Sequence, residues 1–270
     1  MKSFFNYALG ITLYALLLTG CGGEENLEQD ISSIGYKKVY VIGIDDEYAP
    51  MGFRDESGEI VGFDVDLAKE AARRLDITFE FRPIEWSKKV DELNARRIDL
   101  IWNGLDITPE RQEHILYSKP YMNNRQLLLI NADSNLNIKT VQDLAGKVVG
   151  TQAGSSSEIY VDHDEELKNS LKDFRTYGSF KTAFRDLADG EVDVLIVDEI
   201  AGRYAMSKMP QKFKALELTI GSATEIGIGF RMTDVELRDE VQKVFDEMIK
   251  DGTAEKISKK WFNADLVIRK

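Results

Sequence analysis

From residue 39 onward, short apolar runs bounded by Gly, Pro or Asp alternate with stretches in which apolar positions recur every three or four residues. The first pattern predicts strands, the second predicts helices with one buried face, and their alternation predicts βα units around a mostly parallel sheet. Strands are expected at 39–44, 78–81, 98–102, 126–130, 147–151, 174–176, 192–197 and 226–230. Between them, 64–75 places Val65, Leu67, Ala68, Ala71, Ala72 and Leu75 on one helical face. Leu237, Val241, Val244, Phe245 and Met248 repeat in the same way, so both helices face a core. The number of strands suits two smaller sheets better than one. Two lobes are therefore expected, the first from 36–124 and 226–270, the second from 125–225.

Composition narrows the function classes. The chain has 270 residues, 43% of them hydrophobic, which excludes a disordered or fibrous protein. Against 35 Lys+Arg stand 47 Asp+Glu, a net charge of −12, so nucleic acid is not an expected partner. One Cys and two distant His, His114 and His163, support neither a metal site nor Ser-His-Asp chemistry, and no cofactor is expected.

The amino terminus reads as an address. Lys2 precedes an apolar stretch over 4–18, shorter than the ~20 residues that span a bilayer, as in a secretory leader. It ends in Leu18-Thr19-Gly20-Cys21, which resembles the lipobox of bacterial lipoprotein precursors. That resemblance implies a signal peptide over 1–20, cleavage before Cys21 and lipid on its thiol. An ordinary leader with an incidental Cys, or an uncleaved anchor, is the alternative. Residues 22–35 are acidic and Gly/Ser-containing, so 21–35 is expected to be a lipid-anchored linker with an r.m.s. span of roughly 20 Å. The protein is expected outside the cytoplasm, held to the cell membrane by its lipid.

Six motifs in order carry a family resemblance: IGIDDEYAP at 42–50, GFDVDL at 62–67, WNGLDITPER at 102–111, VGTQAGSS at 149–156, DVLIVD at 193–198, and DGT at 251–253 with KWF at 260–262. Together they resemble the polar amino acid substrate-binding proteins of ABC importers, the bacterial extracellular solute-binding proteins of family 3. The resemblance implies an α/β, two-lobed periplasmic-binding-protein-like fold of type II. Each lobe would be a mostly parallel sheet flanked by helices, with a two-strand hinge near 123–126 and 223–227.

Several residues suggest a ligand on physical grounds too. Arg111 follows Thr108-Pro109-Glu110, a helix start with a Thr cap and Pro at its first position. Its guanidinium can fork onto a carboxylate or pair with Glu110 or Glu113 at the surface. The resemblance assigns it to a ligand α-carboxylate, with Ser156 as the second-lobe contact and Gln152 beside it. Ser155 and Ser156 open a helix whose positive end can cradle an anion, although a Ser-rich start is often only a cap. Asp198 ends an apolar strand, where a carboxylate can face a ligand ammonium or cap the next helix. Tyr48 and Trp86 are expected as aromatic walls, and Asn103 and Gly104 as hydrogen-bonding groups.

Asp106 departs from the family, which commonly has Ser or Thr there. With Asp45 and Asp198 it places three carboxylates near a cavity holding only Arg111, which favours a cationic ligand side chain. Asp106 taking over the hydroxyl's role toward the α-ammonium would leave a polar uncharged ligand. The principal expectation is a monomeric receptor that closes on a free basic or polar amino acid and delivers it to an ABC permease and its ATPase. A periplasmic dehydratase acting on prephenate or arogenate, with Asp106 or Glu225 as acid or base, and a ligand-sensing module are the rivals on this fold.

Overall fold

The computed structural model describes residues 38–269; the expected leader, Cys21 and linker lie outside the described residues. Strand β1 (Val39–Ile44) leads into the short strands β2 (Glu47–Tyr48), β3 (Gly52–Arg54) and β4 (Ile60–Val61), then α1 (Phe63–Leu75) and β5 (Thr78–Pro83). A 3-10 turn at Trp86–Lys88 precedes α2 (Lys89–Asn94), β6 (Leu100–Ile101), β7 (Asp106–Ile107), α3 (Pro109–Gln112), β8 (Leu116–Tyr117) and the long β9 (Met122–Asn131). Next come β10 (Val148–Gln152), α4 (Ser156–His163), α5 (Glu165–Ser170), β11 (Asp173–Tyr177) and α6 (Phe180–Ala188). After β12 (Val194–Asp198) and α7 (Glu199–Lys208), the chain closes with β13 (Phe213–Ile226), β14 (Gly229–Phe230), α8 (Val235–Lys250) and α9 (Thr253–Phe262).

Two large sheets organise these elements, one in the order β5-β1-β6-β14-β8 and the other β11-β10-β12-β9-β13-β7. Each carries its own helices, which gives the two-lobed α/β architecture. Neither sheet is mostly parallel, as the sequence pattern had suggested. Parallel pairing is confined to β5-β1-β6 and β11-β10-β12, and the remaining pairs are antiparallel. The reason is topological. The chain crosses on β9, which runs against β12, and returns on β13, which runs against β9, while in the first sheet β14 runs against β6 and β8. Strands β9 and β13 pair with Asn123 opposite Glu225 and Asn124 opposite Thr224, and the register shifts between Ala215/Thr219 and Ile220/Thr224.

The helices form where apolar spacing allows them to cover a sheet. In α1, Phe63, Val65, Leu67, Ala68, Ala71 and Ala72 are buried, and Asp76 ends the helix in the left-handed conformation. In α8 the buried set is Leu237, Val241, Val244, Phe245 and Met248, as its 3.6-residue period requires. Strand β12 is buried at all five positions, consistent with a central strand covered on both faces. The helical segment that Ser155 opens is broken at residue 164. Asp164 stops α4 and caps α5 by accepting from the Leu167 N–H at 2.9 Å.

Candidate functional site

Arg111 is buried, with 6% exposure, at the end of the single turn α3. Thr108 caps that turn, its hydroxyl accepting from the Arg111 N–H at 3.3 Å. The guanidinium donates from Nη1 to the Asp106 carbonyl at 3.0 Å and from Nη2 to the Gly154 carbonyl at 2.9 Å. The surface pairing with Glu110 or Glu113 does not occur: Glu110 lies 3.7 Å from His163, and Arg111 meets no carboxylate among the described residues. The Gly154 loop reaches it because position 154 has φ +74° and because a Cβ there would stand 2.6 Å from the Ser87 Cα.

The opposite side of the site is acidic. Asp198 holds the N-cap position of α7 yet makes no side-chain cap bond. Its carboxylate turns into the cleft and accepts from Tyr48 Oη at 2.5 Å, Asn124 Nδ2 at 2.6 Å and Gln126 Nε2 at 2.7 Å. Asp106 accepts from the same Asn124 amide at 2.9 Å, from Thr224 Oγ1 at 2.8 Å and from the Ser156 hydroxyl. Asp45 accepts from Gln152 Nε2 at 2.6 Å. Ser155 serves as the cap of α4, accepting from the Glu158 N–H at 3.2 Å.

Burial dominates the electrostatics. It raises the Asp45 carboxyl to about 6 against the donors Glu47 N–H and Gln152. Asp198 also rises to about 6, first through burial and then through the neighbouring Asp106 charge, while Tyr48, Gln126 and Asn124 oppose the shift. Burial and the Asp198 charge push the Tyr48 hydroxyl upward. Burial, then Arg111, pushes the Lys89 ammonium well below the usual lysine range.

Asp45, Tyr48, Trp86, Gly104, Asp106, Arg111, Gln152, Ser155, Ser156 and Asp198 line one cavity of about 10 Å³. That is room for roughly one water molecule. Asn103 is the expected contact that does not reach it. Fully buried, it stands behind the wall, and its Oδ1 accepts from the Asp45 N–H at 2.9 Å, so it holds the Asp45 loop. Asp64, raised to about 7 by burial, plays a similar part for Gly104, whose N–H it accepts at 2.7 Å.

Residues 40–264 match the family model of the bacterial extracellular solute-binding proteins, family 3. The chain belongs to this family. It is similar to an L-cystine-binding protein of Escherichia coli K12, 29% identical over 260 residues that make up 96% of this chain and 94% of that protein. It is also similar to the histidine-binding periplasmic protein of the same strain, 33% identical over 233 residues, 83% of this chain and 88% of that protein. A crystal structure of an ABC uptake transporter substrate-binding protein from Streptococcus pneumoniae with bound histidine superposes with a TM-score of 0.81. It is 34% identical and covers 86% of this chain and 95% of that one. No helix among the described residues is long and apolar enough to cross a membrane.

Family membership leaves unexplained several residues that the sequence reading missed. Asn124 and Gln126, two apart on β9, point to the same side and bind Asp198 from the crossing strand. This period-two placement of polar residues in the segment 122–131 was the available signal. From β13, Thr224 donates to Asp106. Lys89 gave no signal, because a lysine in a polar stretch is ordinarily solvated.

Proposed function

We propose that this chain is the receptor of an ABC importer and closes its lobes on a free L-amino acid with a basic or polar side chain. The observation that carries this reading is the placement of Arg111 and Asp198 in one cavity wall, a buried guanidinium without a carboxylate partner among the described residues and a buried carboxylate facing it. A zwitterion satisfies both. Its carboxylate takes Arg111 with Ser156, its ammonium takes Asp198 with Asp106, and its side chain runs between Tyr48 and Trp86 toward Asp45 and Gln152. Three carboxylates against Arg111 in the lining favour a ligand that brings extra positive charge.

The lobes in this reading are 36–124 with 226–270, and 125–225, moving about the β9–β13 crossing. Both lobes contribute ligand groups, so closure gains the differential affinity it requires. The chain acts as a binding protein and not as an enzyme. It works as a monomer, tethered by lipid on Cys21, and presents its ligand to a permease and its ATPase.

The test is a thermal-shift screen of the twenty amino acids with ornithine, citrulline and cystine. A ligand at a hundred times its Kd stabilises the native state by about 2.7 kcal/mol, and basic amino acids or cystine are expected to give the largest shifts. No shift with any amino acid overturns the receptor reading, and the largest shifts with aspartate or glutamate overturn the charge argument.

A further inference from the structure

Behind Trp86, outside the cavity lining, a second cation approaches the same carbonyl that Arg111 holds. Lys89 is 4% exposed. Its Nζ donates to the Gly154 carbonyl at 2.7 Å and to the Trp86 carbonyl at 3.1 Å, and stands 4.8 Å from the Trp86 ring centroid. Arg111 Nη2 donates to that same Gly154 oxygen. Two buried cations thus share one neutral acceptor. No carboxylate is bonded to either among the described residues. The charged groups that act on Lys89 are Arg111, which repels it, and Glu158 and Asp106, which attract it. Glu158 is engaged with the Gly154 N–H at 2.6 Å, and Asp106 with Asn124, Thr224 and Ser156.

A buried ammonium in such a place is costly, and an apolar side chain of similar length would avoid the desolvation. The arrangement becomes favourable when a negative charge arrives beside Gly154, where both cations and the amino end of α4 attract it. We propose that Lys89 is a positioning residue for the carboxylate end of the site, which holds the Gly154 loop against Arg111 and makes the site select an ionised ligand carboxylate over an uncharged one. This rests on the receptor reading above. It adds to that reading a residue that does not touch the ligand and a selectivity that Arg111 alone does not set.

The test uses the full chain with Lys89→Met and Lys89→Arg. Calorimetry compares L-histidine and L-arginine with L-histidinamide and L-argininamide, which carry no carboxylate charge. The expected result for Lys89→Met is a loss of about tenfold or more for the amino acids, little change for the amides, and a melting temperature equal to or above that of the parent. Lys89→Arg restores part of the preference for acid over amide. An equal loss for acids and amides makes Lys89 a packing residue and overturns the inference, as does an unchanged acid-to-amide ratio. If neither histidine nor arginine binds the parent chain, the acid and amide of the amino acid that gives the largest thermal shift take their place; a parent chain that melts cooperatively but binds no amino acid of that screen fails the receptor reading itself, and this inference with it.

Discussion

Acidification should weaken binding, and by different amounts for different ligands. Asp198 and Asp45 both have carboxyls raised by burial to about 6. An α-ammonium beside Asp198 favours its ionised form, so at pH 5 binding must expel a proton from that acid. Affinity then falls by up to about tenfold for each pH unit below 6. In the proposed pose Asp45 lies toward the side-chain end, so a ligand with a cationic side chain must expel a second proton, and its affinity falls by up to about a hundredfold per unit. Arginine and glutamine therefore separate: both lose affinity, arginine with about twice the logarithmic slope.

The free protein follows the opposite sign. Both carboxyls sit above their unfolded value of 3.8, so the native state holds more protons between about pH 4 and 6. The stability these groups contribute is fully present below the unfolded value and is lost as pH rises through 6. Asp64, raised to about 7, acts in the same direction. Glu70 and Asp251, each lowered to about 2 by arginine partners, lose their contribution only in stronger acid. Calorimetry near pH 5.5 in two buffers of different ionisation enthalpy reads the proton release directly. Asp198→Asn should remove one proton from the arginine reaction. A Kd that stays flat from pH 7 to 5, or binding without proton release, would refute the assignment of these acids to the ligand's positive groups.

Arg111→Met should cost about 2–5 kcal/mol of binding, read by calorimetry as a loss of roughly thirtyfold or more. The melting temperature should change little, because the Asp106 carbonyl keeps Tyr117 Oη and the Gly154 carbonyl keeps Lys89; retained affinity removes the central contact. Glu47 joins the lobes away from the cavity, accepting from Ser179 Oγ at 2.6 Å and Lys181 Nζ at 2.9 Å. Glu47→Ala should raise the ligand off-rate by about fivefold at most, as for a part-exposed pair, with an unchanged on-rate in stopped-flow tryptophan fluorescence. An on-rate effect would mean that Glu47 guides entry and does not latch the closed form.

Much of the architecture was legible because it rests on local rules. The α1 and α8 faces follow from apolar spacing, and the Thr108 cap from residue type. Strand β13 was mostly missed: the segment 213–226 mixes Gly, Ser and Thr with charged residues, and its pairing with β9 shifts register twice, so no steady alternation marks it. The short strands β2, β3, β4, β7 and β8 gain their pairing from tertiary neighbours and carry no periodicity at two or three residues. In the site, Asn103 looked like a ligand group because it borders Gly104, yet its side chain faces the Asp45 backbone. Lys89 and Asn124 depend on contacts with residues 65 and 74 positions away in the chain, which spacing along a sequence does not encode.

The amide of Asn124 lies between the Asp106 and Asp198 carboxylates, and Tyr48, Gln126, Ser156 and Thr224 complete their coordination. In the proposed pose these side chains take the place of the ligand's ammonium, so a solute has to outcompete an internal rival before it is held. Affinity can then drift in evolution through Asn124, Gln126 and Thr224, which shape the mimic without lining the cavity. The rival also sets how often the receptor shuts unprompted, and with it the background against which a transporter must recognise a genuine delivery.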